Sequence, residues 1–311
     1  MGQQWTPDAS GGYLANDVLS SKIRHQSQPM MRFRQFVRKE PGYGKNKGDT
    51  VLFDRISNVA SGGGTISELS KMPEDSVVIS QGSCIVGEYG NSVPWTGKLE
   101  SLAEFSVDNI VMKALKNDMA KVLDSAVGTE FKTAQIKAVP TGTDTVPTTT
   151  FETTLSTSAT RHAQAADVKN IIDAMKSTYT IPTFDGENYI CVCSVGFART
   201  LKDDPDWEDA AKYGDPQRLF AGELGRYYGC RFIEETNVLS NAPGGTYKGE
   251  AVFFFEYSCV EAVAVAEELL AKIPVDFARD KELVRYGIMG CSLTYDTSTA
   301  GEAKIIHCTS N

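Results

Sequence analysis

The chain has 311 residues and a mass of 33.8 kDa, is 41% hydrophobic and 23% charged, and carries a formal net charge of −9. This composition is typical of globular proteins and excludes disordered and collagen-like chains. Apolar runs such as residues 251–255 reach only five residues, whereas a helix needs roughly 20 to span a bilayer. The sequence therefore predicts no membrane span, and a start without signal-peptide features predicts a protein retained in the cytosol.

Charge is divided unevenly along the chain. Residues 1–49 contain eight Lys or Arg against four acids, so the remaining residues carry −13. Glycine pairs and prolines interrupt these 49 residues, which predicts an arm rather than a unit with its own core. A basic arm on an acidic body is expected either to be solvated or to lie against a neighbouring acidic surface or nucleic acid. The overall acidity argues against a dedicated DNA reader.

After the arm, the apolar residues first recur with a period of two, as in strands, and then with the period of a helix. Strand signals at 51–56 and 77–79 enclose a polar segment with Gly62-Gly63-Gly64, which predicts a long two-stranded excursion. After Ser106 or Asp108, apolar residues recur at helical spacing to about Phe131, which predicts a helix roughly 36 Å long, laid along a sheet. The predicted buried stripe is Val111, Leu115, Met119, Val122 and Ala126.

The second half of the chain reads as a compact α/β unit. The Thr-rich segment 139–160 is predicted to be either an exposed loop or a β-excursion. Residues 189–193 are apolar at every position, as in a central buried strand. Two further segments, 283–295 and 303–308, alternate like a pair of strands that close a sheet. The other predicted elements are a helix with Val168, Ile171, Ile172 and Met175 on one face, a short helix from Asp204-Pro205, and strands at 230–233, 252–255 and 260–265.

No motif indicates catalysis, a metal or a cofactor. The seven cysteines are odd in number and lack a CxxC pair, which favours buried thiols. The three histidines are far apart in sequence and no G-x-S-x-G element is present. Cys191 and Cys193 supply only two of the four ligands of a zinc site. The acidic segment 203–209 lacks the glycine and terminal glutamate of a calcium loop, so helix capping explains it better.

The excursion predicts self-assembly, because an isolated hairpin is only marginally stable in water. Burying Val51, Phe53, Ile56 and Ile79 would yield about 6 to 12 kcal/mol at 1.5 to 3 kcal/mol each. One such contact barely offsets the roughly 4 to 15 kcal/mol cost of association, whereas repeated contacts in a closed lattice form at high effective concentration. We therefore predict inter-subunit contacts at these four residues. Arg32 and Arg34 are predicted to face a neighbouring subunit or DNA.

The order of these pieces resembles the major capsid proteins of tailed bacteriophages, and most closely the coat-protein family of N4-like phages. The resemblance starts near Lys47 and rests on three segments in order. They are residues 47–51 (KGDTV), residues 87–90 (GEYG) followed by 99–108, and residues 219–225 (LFAGELG) followed by 229–234 (GCRFIE).

The resemblance implies an α+β fold of the Hong Kong phage type, with an N-terminal arm, an extended β-hairpin loop, a peripheral domain with a long spine helix, and an axial α/β domain. The implied boundaries are 1–49 for the arm, 50–83 for the extended loop, 84–160 for the peripheral domain with the spine helix and the Thr-rich segment, 161–269 for the axial domain, and 270–311 for strands that return to the peripheral domain.

The resemblance further implies a structural, non-enzymatic subunit. Copies would form the hexamers and pentamers of an icosahedral head that encloses double-stranded DNA, in the virion after assembly in the cytoplasm of a bacterial host. The implied partners are scaffolding, portal and decoration proteins and the packaged double-stranded DNA, which would be contacted non-specifically, with no membrane and no cofactor. Two alternatives remain open at this stage: the shell of an encapsulin-type nanocompartment, and a cytosolic enzyme whose site has no recognisable motif.

Overall fold

A computed structural model of the chain describes residues 26–41, 48–57, 59, 64–68, 70–153, 159–207, 225–242, 248–273, 276–277 and 279–310. Its helices are a short 3-10 helix (Phe33–Phe36), α1 (Gly97–Leu102), α2 (Val107–Lys132), α3 (Ala165–Ser177) and α4 (Val195–Lys202). Its strands are β1 (Arg38–Pro41), β2 (Thr50–Ile56), β3 (Ile79–Ile85), β4 (Gly87–Thr96), β5 (Ile136–Thr143), β6 (Val146–Glu152), β7 (Tyr189–Ser194), β8 (Arg226–Tyr227), β9 (Cys230–Glu235), β10 (Asn241–Ala242), β11 (Lys248–Phe254), β12 (Cys259–Ala271), β13 (Asp280–Leu293) and β14 (Ile305–Ser310).

The described strands form two sheets and one separate hairpin. The first sheet has the order β1-β12-β13-β4, and the hairpin consists of β2 and β3. The second sheet has eight strands in the order β6-β5-β14-β11-β7-β9-β8, with β10 paired to β11. Strand β7 lies inside this sheet between β11 and β9, and all six of its residues are buried. The prediction of a central buried strand at 189–193 is therefore confirmed.

The Thr-rich segment forms the hairpin β5–β6 at one edge of the second sheet, so the second of its two predicted structures is correct for residues 136–152. Arg161 and Asp167 form a buried ion pair with a 2.6 Å contact, and Arg161 Nε also donates to the Thr141 carbonyl. Thr149 donates to the Asp167 carboxylate. These bonds fasten the hairpin to α3, because a buried charge needs both its counter-ion and its hydrogen bonds.

Helix α2 is the predicted long helix and extends for about 39 Å at 1.5 Å per residue. Its buried stripe agrees with the prediction as far as Met119 and then differs, since Leu123 and Val127 are buried whereas Val122 is exposed. The reason is that α2 crosses successive partners: its first turns pack on Trp95, its middle on Met289 of β13, and its end on the core of the second sheet.

The described part of the arm packs on its own molecule, which differs from the expectation that it is solvated or lies against a neighbouring acidic surface or nucleic acid. Phe33 is fully buried, and its ring lies 5.4 Å from that of Phe131 in α2. Phe36 contacts the ring of Phe254 at 5.3 Å, and β1 adds a parallel strand to β12. The body of the protein therefore completes the core that this segment lacks by itself. Residues 1–25 and 42–47 of the predicted arm lie outside the described residues.

The two last segments of the chain belong to different sheets, which corrects their prediction as a closing pair. Strand β13 lies in the first sheet between β12 and β4. Strand β14 lies in the second sheet, antiparallel to β11 and parallel to β5. Residue 160 lies between β6 and β7, which both belong to the second sheet, and residue 270 lies within β12 of the first sheet. Of the short helix predicted from Asp204-Pro205, residues 205–207 are helical and the remainder is outside the described residues.

Candidate assembly surfaces

The two faces of the β2–β3 hairpin have opposite environments. Val51 pairs with Cys84 and Phe53 with Gly82, and this face packs on the first sheet against Ala262, Ala264 and Ile288. Val51 is buried there and Phe53 is half-buried. These two predicted contact residues are thus held largely within their own chain, where they join the hairpin to the sheet.

The opposite face of the hairpin carries apolar side chains into solvent. Ile56 and Ile79 are directly paired across the strands and are 63% and 62% exposed. Leu52 and Ile85 on the same face are 57% and 71% exposed. The sequence pattern does not identify the last two as exposed, because both faces of β2 carry apolar residues and alternation alone does not say which face meets the body. An exposed apolar stripe of this kind is a feature of interaction surfaces.

The connection between β2 and β3 extends this stripe. Its described residues include several exposed apolar side chains, and the backbone N–H of Ser57 donates to the Val78 carbonyl, which continues the pairing beyond Ile56. Apolar side chains in a segment without its own core are costly to leave in water. The exposed members are Val59, Ile66, Met72, Val77 and Val78.

The hairpin meets the first sheet at a close backbone contact. A Cβ atom on Gly290 of β13 would overlap the Ile85 carbonyl, whereas one on Gly87 would meet no atom within 4 Å. We expect Gly290→Ala to lower the free energy of unfolding by about 1 to 3 kcal/mol, with Gly87→Ala as the control that changes it little. Urea denaturation of the dispersed subunit measures both. Equal effects of the two substitutions would contradict this close contact.

A second apolar surface lies at the end of the first sheet where β12 leads into β13. Ile273 is 84% exposed and Phe277 is fully exposed. Leu270 and Val284 line a groove of about 450 Å³ on the adjoining ends of β12 and β13, and the backbone N–H of Gly97 in α1 donates to the Arg279 carbonyl. We call this set of residues the sheet tip.

The two predicted arginines have different environments. Arg34 forms ion pairs with Glu261 at 2.8 Å and with Glu267 at 3.1 Å, both on β12, and Arg285 binds Glu267 at 2.8 Å. Burial alone would raise the pKa of Glu267, but the hydrogen bonds from Arg285 and Arg34 outweigh it and hold the pKa below its ordinary value. Arg34 therefore fastens the arm to its own sheet, whereas Arg32 is exposed.

A buried polar cluster connects the end of α2 to the second sheet. Lys132 pairs with Glu250 at 2.8 Å, and Lys137 donates to the Lys132 carbonyl at 2.6 Å. Lys137 Nζ lies 3.3 Å from His307 Nδ1. Burial lowers the pKa of Lys137 to about 8, and burial with the nearby lysines lowers the pKa of His307 to about 3. His307 is therefore neutral at pH 7, and its Nδ1 accepts a hydrogen bond from Lys137.

The described cysteines and the acidic segment have structural environments. Six of the seven cysteines are buried, and burial raises the pKa of the Cys191 thiol well above its ordinary value, which removes the reactive thiolate. No group of three or more His, Cys, Asp or Glu in these residues could hold a metal ion. In the acidic segment, Asp204 accepts hydrogen bonds from the backbone N–H groups of Ala165 and Asp206, which agrees with the capping role predicted for it.

No helix in the described part of the chain is long and apolar enough to cross a membrane.

Sequence comparison alone finds no relative: no protein-family model and no curated protein matches the chain. Structural comparison finds phage capsids. The acid-stable capsid of Helicobacter pylori bacteriophage KHP30 matches with a TM-score of 0.73 and 11% identity over 97% of both chains. The capsid of cyanophage P-SCSP1u matches with a TM-score of 0.71 and 10% identity over 97% of this chain and 94% of the other.

A third structure, the capsid of Ralstonia phage GP4, has a TM-score of 0.67 and 15% identity over 98% of this chain and 97% of the other. The agreement extends over nearly the whole length of each chain, so it concerns the complete architecture rather than one shared sheet. The mixed α/β fold of this chain is therefore the fold of tailed-phage capsid proteins.

Proposed function

We propose that the chain is the major capsid protein of a tailed bacteriophage, a structural and non-enzymatic subunit that assembles with copies of itself into the shell of the head. The observation that carries this proposal is the likeness over at least 94% of both chains to capsid structures that share 15% identity or less. Fold alone does not establish function. The exposed surfaces of this chain supply the independent support.

Two described surfaces suit contacts between copies. The outer face of the β2–β3 hairpin and the sheet tip both present aliphatic or aromatic side chains to water, and neither can be covered by the element that carries it. Covering the four hairpin residues Leu52, Ile56, Ile79 and Ile85 would yield roughly 1.5 to 3 kcal/mol each if burial were complete. In a closed shell every subunit makes such contacts with several neighbours, so weak contacts add up through effective concentration.

The proposal includes the finer features that the sequence resemblance implies. Copies would form hexamers and pentamers of an icosahedral shell around double-stranded DNA, with scaffolding, portal and decoration proteins as further partners. The virion would be the location, after assembly in the bacterial cytoplasm. A closer relation to N4-like phages and the domain boundaries drawn from the resemblance are part of the same proposal.

Expression of the full chain followed by sedimentation and negative-stain microscopy tests the proposal. Closed particles of uniform diameter are the expected result. Only small discrete species at every salt concentration tried would contradict it. Particles isolated from the natural source distinguish a phage head from a nanocompartment shell. Nuclease-protected duplex DNA identifies a phage head, and a co-purifying enzyme identifies a nanocompartment.

The substitution Ile56→Asp tests the hairpin face. We expect it to lower the yield of closed particles at least tenfold, because a carboxylate at this position would be desolvated in each contact. The fold of the subunit should remain, since Ile56 is exposed and makes no core contact. Val146→Asp is the matched control, because Val146 is 66% exposed in the other hairpin.

Particle yield by sedimentation and thermal unfolding by circular dichroism give the two readouts. Ile56→Asp with the yield of the unchanged protein would remove the hairpin face from the interface. An equal loss in Val146→Asp would show that any added charge is harmful.

A further inference from the structure

The groove at the sheet tip lies on the side of β13 that faces away from the core. Leu283 of β13 packs with Trp95 and the first turns of α2, whereas Ile288 packs on the other side beneath the β2–β3 hairpin. Because side chains alternate along a strand, Val284 and Tyr286 share the side of Ile288. The hairpin covers this side at Ile288, and the groove of about 450 Å³ lies farther along β13 towards the tip.

The groove combines apolar and charged side chains. Leu270 of β12 is directly paired with Val284 and is 46% exposed. Lys272 lines the same groove and forms ion pairs with Asp280 at 3.0 Å and with Glu282 at 3.3 Å. Apolar surface that stays in water beside charged side chains is typical of a site of protein contact.

The connection from β12 to β13 presents an aromatic side chain that this groove does not hold. Phe277 is fully exposed, so its ring is not seated in the groove of its own chain. Asp276 and Phe277 both have positive φ angles, of 52° and 55°. Residues other than glycine rarely adopt this backbone conformation, and it is found at functional sites. The backbone therefore holds the ring in water at the end of the sheet.

We propose that the Phe277 side chain of one copy inserts into the groove formed by Leu270, Val284 and Tyr286 of a second copy. Each copy supplies one ring and one groove, so the site is incomplete in an isolated subunit. Full burial of a phenylalanine side chain corresponds to roughly a tenfold to hundredfold gain in an association constant. The inference rests on the proposed function and names the partner that covers the sheet tip.

Charge complementarity favours a second copy as the occupant of the groove. Asp276 and Arg279 flank the ring in sequence and pair with each other at 3.5 Å, and Lys272 and Glu282 line the groove. Each part therefore offers one acid and one base to the other. None of these four side chains is buried, and exposed ion pairs contribute little to stability, so exchanging partners costs little. Such charges orient two surfaces that apolar contact holds together.

Two substitutions of opposite charge test the contact by rescue in the full chain. Phe277→Asp and Leu270→Lys should each lower the yield of closed particles at least tenfold, because each places a charge in an apolar contact. The double variant should yield at least tenfold more particles than either single variant, since the two new charges then meet across the contact. Both positions are exposed, so circular dichroism should show an unchanged fold.

The matched control combines Leu270→Lys with Val146→Asp. Val146 is 66% exposed in the β5–β6 hairpin, so this pair adds the same charges away from the sheet tip. It should keep the low yield of Leu270→Lys alone. The inference is overturned if Phe277→Asp assembles like the unchanged protein, if its combination with Leu270→Lys shows no recovery, or if the control recovers equally.

Tryptophan emission separates a failure of this contact from a failure of the proposed function. In Phe277→Trp, the emission in excess of the unchanged protein should shift to shorter wavelength as copies associate, because the indole ring leaves water. If closed particles form without this shift, the inference fails and the proposed function stands. If no particles form, the proposed function fails, and the contact is judged by the shift on concentrating the dispersed chain, whose absence overturns it.

Discussion

Phe33→Ala should lower the free energy of unfolding of the dispersed subunit by about 3 to 5 kcal/mol. Phe33 is fully buried, its ring contacts that of Phe131, and a Cβ on Gly128 of α2 would lie 2.9 Å from its Cδ2. Alanine would leave a cavity between the arm and α2 that neither rigid element can fill. The arm should then detach at lower denaturant concentration than the body.

Phe277→Ala is the matched control for this substitution, because the same side chain is fully exposed at that position. It should change the free energy of unfolding by less than about 0.5 kcal/mol. Urea denaturation followed by circular dichroism measures both variants, and proteolysis between the arm and the body shows where the structure opens. A loss below 1 kcal/mol for Phe33→Ala would show that the arm is not part of the core.

The second large effect is a loss of stability in acid caused by His307. Its pKa of about 3 lies below the ordinary value of 6.5, so between these values the unfolded chain binds a proton that the folded chain does not. Stability from this residue is complete above pH 6.5 and falls as the pH decreases towards 3. At about 1.4 kcal/mol per pKa unit, the loss by pH 4 is on the order of 3 kcal/mol.

The substitution His307→Asn should remove this part of the acid dependence while keeping an acceptor for Lys137. Four other charged groups lie in the same cluster, namely Lys132, Lys137, Glu250 and Asp296, so the comparison is between variants at each pH rather than between two pH values. His162→Asn, at an exposed position, is the control. Denaturation curves at pH 7 and pH 4 measure the free energy of unfolding of each variant. If His307→Asn loses as much of this free energy between the two pH values as the unchanged protein does, the prediction is contradicted.

The exposed apolar surfaces that we propose for assembly could be predicted in kind but not in detail. Alternation at 51–56 correctly indicated an apolar hairpin, and Ile56 and Ile79 do lie on its exposed face. The predicted set also contains Val51 and Phe53, which lie an odd number of positions from Ile56 and therefore on the opposite face of β2, towards the first sheet. A period of two identifies which residues share a face and leaves open which face meets the body. The sequence does not predict the sheet tip, because Ile273 and Phe277 lie in the short connection between β12 and β13, where apolar residues do not recur with a fixed period.

Local patterns determined the elements of this protein, and long-range packing determined their partners. Helix α2 and strand β7 follow from residue spacing, because helical and extended backbones expose their side chains with fixed periods. The separation of β13 from β14 and the docking of Phe33 do not follow from it. Strand β13 also pairs with β4 and strand β14 with β5, each far away in sequence, and Phe33 packs on Phe131. Many strands in one chain satisfy the same local rule, so residue spacing alone does not select these partners. Only the tertiary structure, in which all buried surfaces must be covered at once, selects among them.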